Sequence, residues 1–230
     1  MNEKGNDACI IGYFRKYGIW TSLSKSLNGV GVLKLVQDKK LDLNIDINNY
    51  LKTWKFPYAS LSNNKKITTA NLLSHTAGWT VHGFMGYPQG DSIPTLSEIL
   101  DGKSPANSPA VRSMYESGKK VEYSGGGTTI SQLIVTDITQ QKYEDYMWLQ
   151  VLKPMGMNNS FFTQPPPLDK QNLLATGYNR YGEEMKDGKY NIYPEKGATG
   201  LWTNPTTWVN ISLKRNFLIR ENREKCFLLR

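Results

Sequence analysis

The chain has 230 residues, enough for one large domain or two small ones, and its hydrophobic content of 39% is enough for a buried core. Charged residues make up 21% and aromatic residues 11%, which excludes an intrinsically disordered composition. No run of about 18 apolar residues occurs, so no transmembrane segment is predicted. The N-terminal stretch also lacks the long apolar core of a signal peptide.

The net charge of +8 is concentrated near the C-terminus, where residues 214–230 hold six basic and two acidic side chains. The chain shows no basic helix or aromatic RNA-binding pattern, so a solvated basic tail of unclear structure is expected rather than a nucleic-acid partner. Cys9 and Cys226 are expected to be free thiols, and a disulfide between them is the alternative. His75 and His82 are the only histidines, and no Cys/His cluster has metal-ligand spacing. Neither a metal site nor a cofactor is therefore predicted.

In chain order, the first strongly predicted element is the segment at residues 26–38. Its apolar side chains lie on nearly all sides, which predicts a buried helix. Gly29 and Gly31 would permit close packing of this helix. Residues 42–51 alternate and then turn polar, which predicts a short extended piece before a loop. Residues 67–78 predict a helix with Thr68 or Thr69 near its N-cap and Gly78 just past its end.

Residues 79–118 are rich in Gly, Pro and Ser and contain one helical piece near residues 95–102. Residues 128–139 predict a second apolar helix, and residues 142–157 a third that ends at Pro154. After residue 170 the sequence changes to short aromatic and Gly-rich stretches, which predict hairpins or irregular strands in TGYNRYG, GKYNIYP and GATGLWT.

A serine stands three residues before a lysine at three places: Ser22/Lys25, Ser62/Lys65 and Ser117/Lys120. The numbers of Ser and Lys lead one to expect about 1.5 such matches by chance, so the spacing alone has no value. The second and third pairs lie in polar, turn-rich stretches that read as loops. Only Ser22 opens an apolar segment.

Residues three apart lie on one face of a helix, so Ser22 at the first turn would have Lys25 within reach. The positive end of the helix favours a developing alkoxide and a neutral amine, and serine needs a neighbouring base to become a nucleophile. The simpler interpretation makes Ser22 an N-cap and Lys25 a solvent-facing residue. Spacing alone favours this simpler interpretation.

Five blocks in order give the opposite answer: SLSKSLNGVGVLKLVQDKKLDLNIDINNYL, LLSHTAG, YSGGG, KPMGM and GATGLWTNPTTW. Together they resemble the serine β-lactamase and penicillin-binding-protein superfamily, in its class C-like branch of D,D-peptidases and esterases, over roughly residues 20–210. The resemblance implies an α/β (α+β) fold, here mostly the helical part plus an incomplete antiparallel sheet, within a hydrolase domain at residues 1–213.

By this resemblance Ser22 is the acylated nucleophile, Lys25 its general base, and Tyr123 the tyrosine that carries the proton between them and the leaving group. Gly125 stands where the family usually has a substrate-facing Asn, so Gly125 is the candidate substrate-binding position. Its lack of an amide disfavours β-lactam selectivity and favours a looser esterase or peptidase. His75 belongs to a different, structural block of the family and is not predicted to be catalytic.

The family's third motif, Lys/His-Thr/Ser-Gly on a strand, has no match, and little sequence precedes Ser22. We therefore expect a truncated product or fragment in which the second oxyanion donor is missing and activity is impaired. The resemblance implies a small-molecule substrate, namely a D-amino peptide, a β-lactam or an ester, and a location in the periplasm or cell envelope. The alternatives are a catalytically silent homologue that acts as a binding module or remnant, and, on the tail charge alone, a nucleic-acid-binding domain.

Overall fold

The computed structural model describes residues 18–19, 21–63, 65–178, 181–184 and 189–209. The predictions for Cys9, Cys226 and the basic tail lie outside these residues. The described helices include the following: α1 Ser24–Gln37, α2 Thr69–Leu73, α3 Leu96–Asp101, α4 Gly125–Thr139, α5 Tyr143–Met147 and α6 Lys196–Thr199. Shorter helical turns lie at Ile47–Asn49, Ser60–Ser62 and Leu168–Leu173, a π-helical turn continues α5 at Trp148–Leu152, and residues 205–209 are also helical.

Helix α4 lies at the centre of the helical part and contacts α1, α2, α3, α5 and α6. Most of its side chains are buried, including those of Ile130, Ile134 and Val135. Its first turn is Gly125–Gly127, and the Ser124 Oγ caps it by accepting the Gly127 N–H at 3.0 Å. Helix α4 therefore starts three residues earlier than predicted, because a side-chain cap compensates for the weak helix propensity of the glycines.

Helix α1 confirms the predicted buried segment and packs against α4, α5 and α6. A β-carbon at Gly31 would lie 2.7 Å from the Met147 Sδ, whereas one at Gly29 would meet nothing within 4 Å. Only Gly31 therefore permits a close helix contact, contrary to the prediction for Gly29. A buried hydrogen bond of 2.7 Å from Asn28 Nδ2 to Ser131 Oγ ties α1 to α4.

Several predicted elements differ in extent. Helix α2 has Thr68 as its N-cap, with a complete capping box, but it ends at Leu73 and not near Gly78. The expected extended piece at residues 42–51 makes only an isolated bridge from Asp46 to Thr68 and then a 3-10 turn. The prediction of a hairpin or irregular strand in the GATGLWT stretch, residues 197–203, is largely wrong. Its first three residues belong to α6, and only Trp202–Thr203 forms a strand.

The sheet of the described residues has two strands, β1 Gly18–Ile19 and β2 Trp202–Thr203, which pair antiparallel with Ile19 opposite Trp202. Trp202 also bridges Phe161. A small second cluster of buried side chains, Leu174, Tyr190, Ile192 and Trp202, packs behind this sheet. The pairing of residues 18–19 with residues 202–203 brings the start of the Ser22 segment beside the end of α6, and so positions the site.

Candidate active site

The Ser22 segment is a turn that leads directly into α1. The Ser24 N–H donates to the Thr21 carbonyl at 3.1 Å, and the Lys25 N–H donates to the Ser22 carbonyl at 3.3 Å. Ser22 is exposed and Lys25 is half-buried. The buried Ser24 between them accepts the Leu201 N–H on its Oγ at 3.0 Å, which fixes the turn against the residues that follow α6.

Lys25, one turn after Ser22, points its amine to two groups from distant parts of the chain. Its Nζ donates to the Ala198 carbonyl at 2.8 Å and lies 5.0 Å from the centroid of the Tyr123 ring. Ala198 belongs to α6, which packs against both α1 and α4. The position of the amine is therefore set by tertiary packing as well as by helix spacing.

Tyr123 joins the two residues. Its hydroxyl donates to the Ser22 Oγ at 2.9 Å, and 43% of the residue is exposed. Burial alone would raise the pKa of Tyr123, but its hydrogen bonds with Lys25 and Ser22 and the positive charge of Lys25 outweigh burial and lower it. A phenol of lowered pKa between a hydroxyl and an amine can accept and return a proton.

The structure thus brings Ser22, Lys25 and Tyr123 together at an open surface. Among the residues described, no hydrogen bond joins the Ser22 hydroxyl to the Lys25 amine, although helix spacing predicted that the two side chains would meet. The Tyr123 phenol contacts both groups instead.

The other two serine–lysine pairs have a different environment. Lys65 forms an ion pair with Glu116 at 3.5 Å, and Lys120 forms one with Glu122 at 3.0 Å. The hydrogen bond to Glu122 raises the pKa of Lys120, so this amine stays protonated and is a poor base. Both amines thus differ from that of Lys25, which contacts a carbonyl and a phenol ring. The selection of Ser22 over Ser62 and Ser117 stays a prediction.

Gly125 is buried at the first turn of α4, where its N–H donates to the His82 carbonyl at 3.1 Å. A β-carbon at this position would lie 3.1 Å from both the His82 carbonyl oxygen and Phe84 Cε2. At these distances the loop at residues 82–84 would have to shift by a few tenths of an ångström before a side chain fits at position 125. The predicted role of Gly125 in substrate binding stays a prediction.

Sequence reasoning missed the Ala198 carbonyl and the histidine contacts to the Tyr123 segment. A backbone carbonyl leaves no signal in residue identity, although Ala198 does lie in a block that carries the family resemblance. His75 and His82 were visible as the only two histidines. Their spacing gives no indication that both contact residues 122–125.

No cluster of potential metal ligands occurs in the part of the chain that the structure describes. Within the same residues, none of the helices has both the length and the apolar character needed to cross a bilayer.

This fold, with a serine, a lysine and a tyrosine meeting beside a central helix, defines a class C-like β-lactamase or penicillin-binding-protein relative. The Beta-lactamase family model matches residues 19–220. The chain belongs to the β-lactamase family, a family of serine hydrolases.

Two curated relatives and one solved structure illustrate the extent of the similarity. "Protein flp" of Staphylococcus aureus is 27% identical over 206 residues, which cover 86% of this chain and 36% of Flp. The putative penicillin-binding protein PbpX of Bacillus subtilis is 23% identical over 163 residues, which cover 71% of this chain and 37% of PbpX. The chain thus spans a little over a third of the length of these relatives.

The solved β-lactamase/D-alanine carboxypeptidase from Yersinia pestis has a similar fold. It superimposes with a TM-score of 0.62 at 18% identity, covering 85% of this chain and 53% of that structure. At this identity the similarity concerns the fold. It confirms the predicted fold class, in which the helical part accompanies a small antiparallel sheet.

Proposed function

We propose that this chain is a serine hydrolase that works through an acyl-enzyme on Ser22. The observation that carries the proposal is the 2.9 Å hydrogen bond between the Tyr123 hydroxyl and the Ser22 Oγ, with the Lys25 amine against the same phenol ring. A serine hydroxyl becomes a nucleophile when a base accepts its proton as it attacks. Tyr123 and Lys25 together supply that base without a histidine.

The proposed reaction has two steps. In acylation, the Ser22 oxygen attacks the substrate carbonyl carbon while the Tyr123 oxygen accepts the serine proton and the phenol proton moves to Lys25. When the tetrahedral intermediate collapses, the bond to the leaving group breaks, Tyr123 gives a proton to the leaving group, and Lys25 returns its proton to the Tyr123 oxygen. In deacylation, water attacks the acyl carbon, its proton follows the same path, and Ser22 recovers its proton as the acid product leaves.

The proposed substrates are small carbonyl compounds: D-amino peptides, β-lactams or simple esters. The lack of a side chain at Gly125 favours esters and peptides over β-lactams, because the position offers no amide to hold the side chain of a β-lactam. The periplasm or cell envelope is the proposed location, and it rests on the family resemblance alone.

A fluorophosphonate probe tests the proposal directly. The Ser22 oxygen would displace fluoride from phosphorus and leave a stable adduct, which peptide mass spectrometry would place on Ser22. Ser22→Ala is expected to reduce labelling at least 1000-fold, as loss of a nucleophile does. Ser26→Ala is the matched control, because Ser26 is also exposed on this segment but its hydroxyl donates to the Leu23 carbonyl at 2.7 Å. Labelling at other serines, unchanged by Ser22→Ala, would refute the proposal.

A catalytically silent homologue is the second candidate, and the absence of a side-chain amide at Gly125 favours it. A folded chain that is not labelled at Ser22, and that hydrolyses neither nitrocefin nor p-nitrophenyl butyrate, would support this candidate. Hydrolysis of p-nitrophenyl butyrate but not of nitrocefin would support the first candidate, a serine hydrolase, as an esterase.

A further inference from the structure

The two histidines of the chain contact the same four-residue segment, although that segment lies more than 40 positions further along the sequence. The segment is residues 122–125, with Tyr123 inside it. Each histidine uses both its backbone carbonyl and its ring nitrogen. Neither ring contact is needed to complete a helix or a strand.

His75 holds the peptide groups on either side of Tyr123. Its carbonyl accepts the Glu122 N–H at 2.7 Å, and its Nδ1 accepts the Ser124 N–H at 3.2 Å. Its ring centroid lies 4.7 Å from that of Tyr123. The backbone of Tyr123 is therefore fixed by both neighbours, and its ring has an aromatic surface beside it.

His75 has a left-handed backbone conformation, which is unusual for a residue other than glycine. It follows the C-cap of α2 with φ +56°, and the Thr76 N–H donates to the Asn71 carbonyl at 2.9 Å, as in a Schellman motif. Glycine suits this left-handed position best, and a residue with a β-carbon costs stability there. The imidazole contact with Ser124 gives a reason for histidine at this costly position.

His82 completes the arrangement from the other side. Its Nδ1 lies 2.5 Å from the Tyr123 carbonyl oxygen, and its own carbonyl accepts the Gly125 N–H at 3.1 Å. A carbonyl oxygen can only accept, so the His82 Nδ1 must carry a proton. The Ser124 N–H can only donate, so the His75 Nδ1 must not. The two rings therefore require opposite protonation at the same atom.

We propose that His75 and His82 form a histidine clamp, a pair of positioning residues that hold the Tyr123 hydroxyl against Ser22. The clamp rests on the proposed function for its catalytic purpose, but its geometry does not depend on turnover. Neither ring touches the Ser22 oxygen. Their effect passes through the backbone of residues 122–125 to the phenol.

The histidine clamp should weaken as the pH falls. The ionisable groups around the His75 ring are Lys25 of α1 and Tyr123, and His82 lies close enough to Glu122 to contribute to the lowered pKa of that carboxyl, after the hydrogen bond and charge of Lys120. Burial first, and then the charge of Lys25, lower the pKa of His75, which favours the neutral ring at neutral pH. The Ser124 N–H then selects the tautomer in which Nδ1 carries no proton. Protonation at low pH would remove the acceptor for Ser124, whereas His82 donates from Nδ1 whether neutral or protonated.

The first test needs no activity. Nitrogen-15 NMR of histidine-labelled chain gives two sets of ring signals, which His75→Asn and His82→Asn assign. We expect an unprotonated Nδ1 on His75 and a protonated Nδ1 on His82 at neutral pH. Carbon-13 tyrosine NMR, assigned with Tyr123→Phe, should show a higher pKa for Tyr123 in His75→Ala, because the phenol would leave Lys25 and Ser22. The same Nδ1 state on both rings, or an unshifted Tyr123, would overturn the clamp.

The second test uses the rate of fluorophosphonate labelling at saturating probe. His75→Ala is expected to slow labelling about 10- to 100-fold through a misplaced phenol. His75→Asn should recover most of the rate, because the Asn amide oxygen can occupy the place of Nδ1 and Asn tolerates positive φ. His75→Gln is the matched control, since its amide reaches toward the place of Nε2 and should not rescue. Equal rates for native chain, His75→Ala and His75→Gln would contradict the clamp. If the native chain is not labelled at all, the proposed function fails, while the NMR measurements still decide the clamp.

Discussion

The Ser22–Lys25 segment and the Tyr123 segment reach the same site by different means. Ser22 and Lys25 are three residues apart, and the start of α1 places both. Tyr123 lies outside any helix, and its neighbours are held by residues 41–49 positions earlier in the chain. The first segment is therefore set mainly by local geometry, and the second by long-range contacts.

This difference indicates where function is vulnerable. A local turn keeps its shape as long as the helix forms, whereas the Tyr123 segment depends on two loops that must both be in place. Lys25 combines the two cases, because a local spacing brings it near Ser22 but the Ala198 carbonyl fixes its amine. Changes far from Ser22 in sequence should therefore act through Tyr123 or through α6.

The largest expected effect comes from the residue that joins the segments. Tyr123→Phe removes the hydroxyl and keeps the ring next to His75, so labelling of Ser22 should fall about 100- to 10,000-fold, as expected for loss of a proton-transfer group. The free energy of unfolding should change by less than about 0.5 kcal/mol, because the hydroxyl is at an exposed surface. Labelling kinetics and urea unfolding measure the two quantities.

Tyr178→Phe is the control for this substitution, because Tyr178 is exposed and its hydroxyl donates to the Glu184 carboxylate at 3.2 Å. It should leave the labelling rate unchanged. A Tyr123→Phe chain that labels at the native rate would show that the two segments are not joined through the phenol.

The second effect concerns Glu195, the N-cap residue of α6, the helix that contains Ala198. Its carboxylate is fully buried, and neither oxygen has a hydrogen-bond partner among the described residues. Burial raises the pKa of Glu195 to about 7 from an ordinary value near 4.5. Between pH 4.5 and pH 7, Glu195 therefore holds a proton in the folded state but has lost it in the unfolded state. Its protonation contributes fully to the free energy of unfolding below about pH 4.5, and this contribution is lost as the pH rises through about 7.

The Glu195→Gln variant should lack this decline. In the native chain the loss amounts to about 3 kcal/mol, since each pKa unit corresponds to about 1.4 kcal/mol. We expect the difference in unfolding free energy between pH 5 and pH 8 to shrink by about that amount in the variant. The comparison uses each chain as its own reference, so a constant cost of the Gln amide cancels. An identical pH dependence in both chains would refute the interpretation.

The third effect tests whether α6 fixes Lys25. A β-carbon at Gly197 would lie 2.7 Å from the Asn28 Oδ1 and 3.1 Å from the Tyr143 hydroxyl, which hydrogen-bond to each other in the core. Neither atom can easily move, so Gly197→Ala should push α6 from α1 and cost about 1–3 kcal/mol. Because Ala198 is the next residue, labelling of Ser22 should fall as well.

Gly29→Ala is the matched substitution in α1, at a position where an added β-carbon would not reach α6. A β-carbon there meets nothing within 4 Å, so the gain in helix propensity should stabilise the chain by about 0.5–1 kcal/mol without altering labelling. Thermal unfolding and labelling rates of the two alanine variants compare α6 with α1 directly. Equal behaviour of the two would contradict a role for α6 in fixing the amine.

The sequence predicted the local half of this site better than the long-range half. The segment at 26–38 and the Thr68 cap follow from periodicity and side-chain chemistry, and the structure agrees with them. The choice of Ser22 among three serines follows from the order of the family blocks and stays a prediction. The early start of α4 and the end of α2 at Leu73 were missed, since a tertiary cap and a left-handed His75 override local propensity. The histidine contacts could not be predicted, because they join loops whose spacing carries no period.

The smallest expected effect lies at the far end of α1, where Lys34 Nζ and Asp38 Oδ1 are 2.5 Å apart with about a third of each side chain exposed. Lys34→Ala should lower the free energy of unfolding by only about 0.3–0.5 kcal/mol, and less in high salt, because water and ions screen the pair. Labelling of Ser22 should not change, since this pair is remote from the first turn of the helix. A urea titration at low and high salt, with Asp38→Asn and the double variant completing the cycle, measures the interaction. A change in labelling rate would show that the Ser22–Lys25 segment depends on the whole of α1, and would contradict its assignment to local geometry.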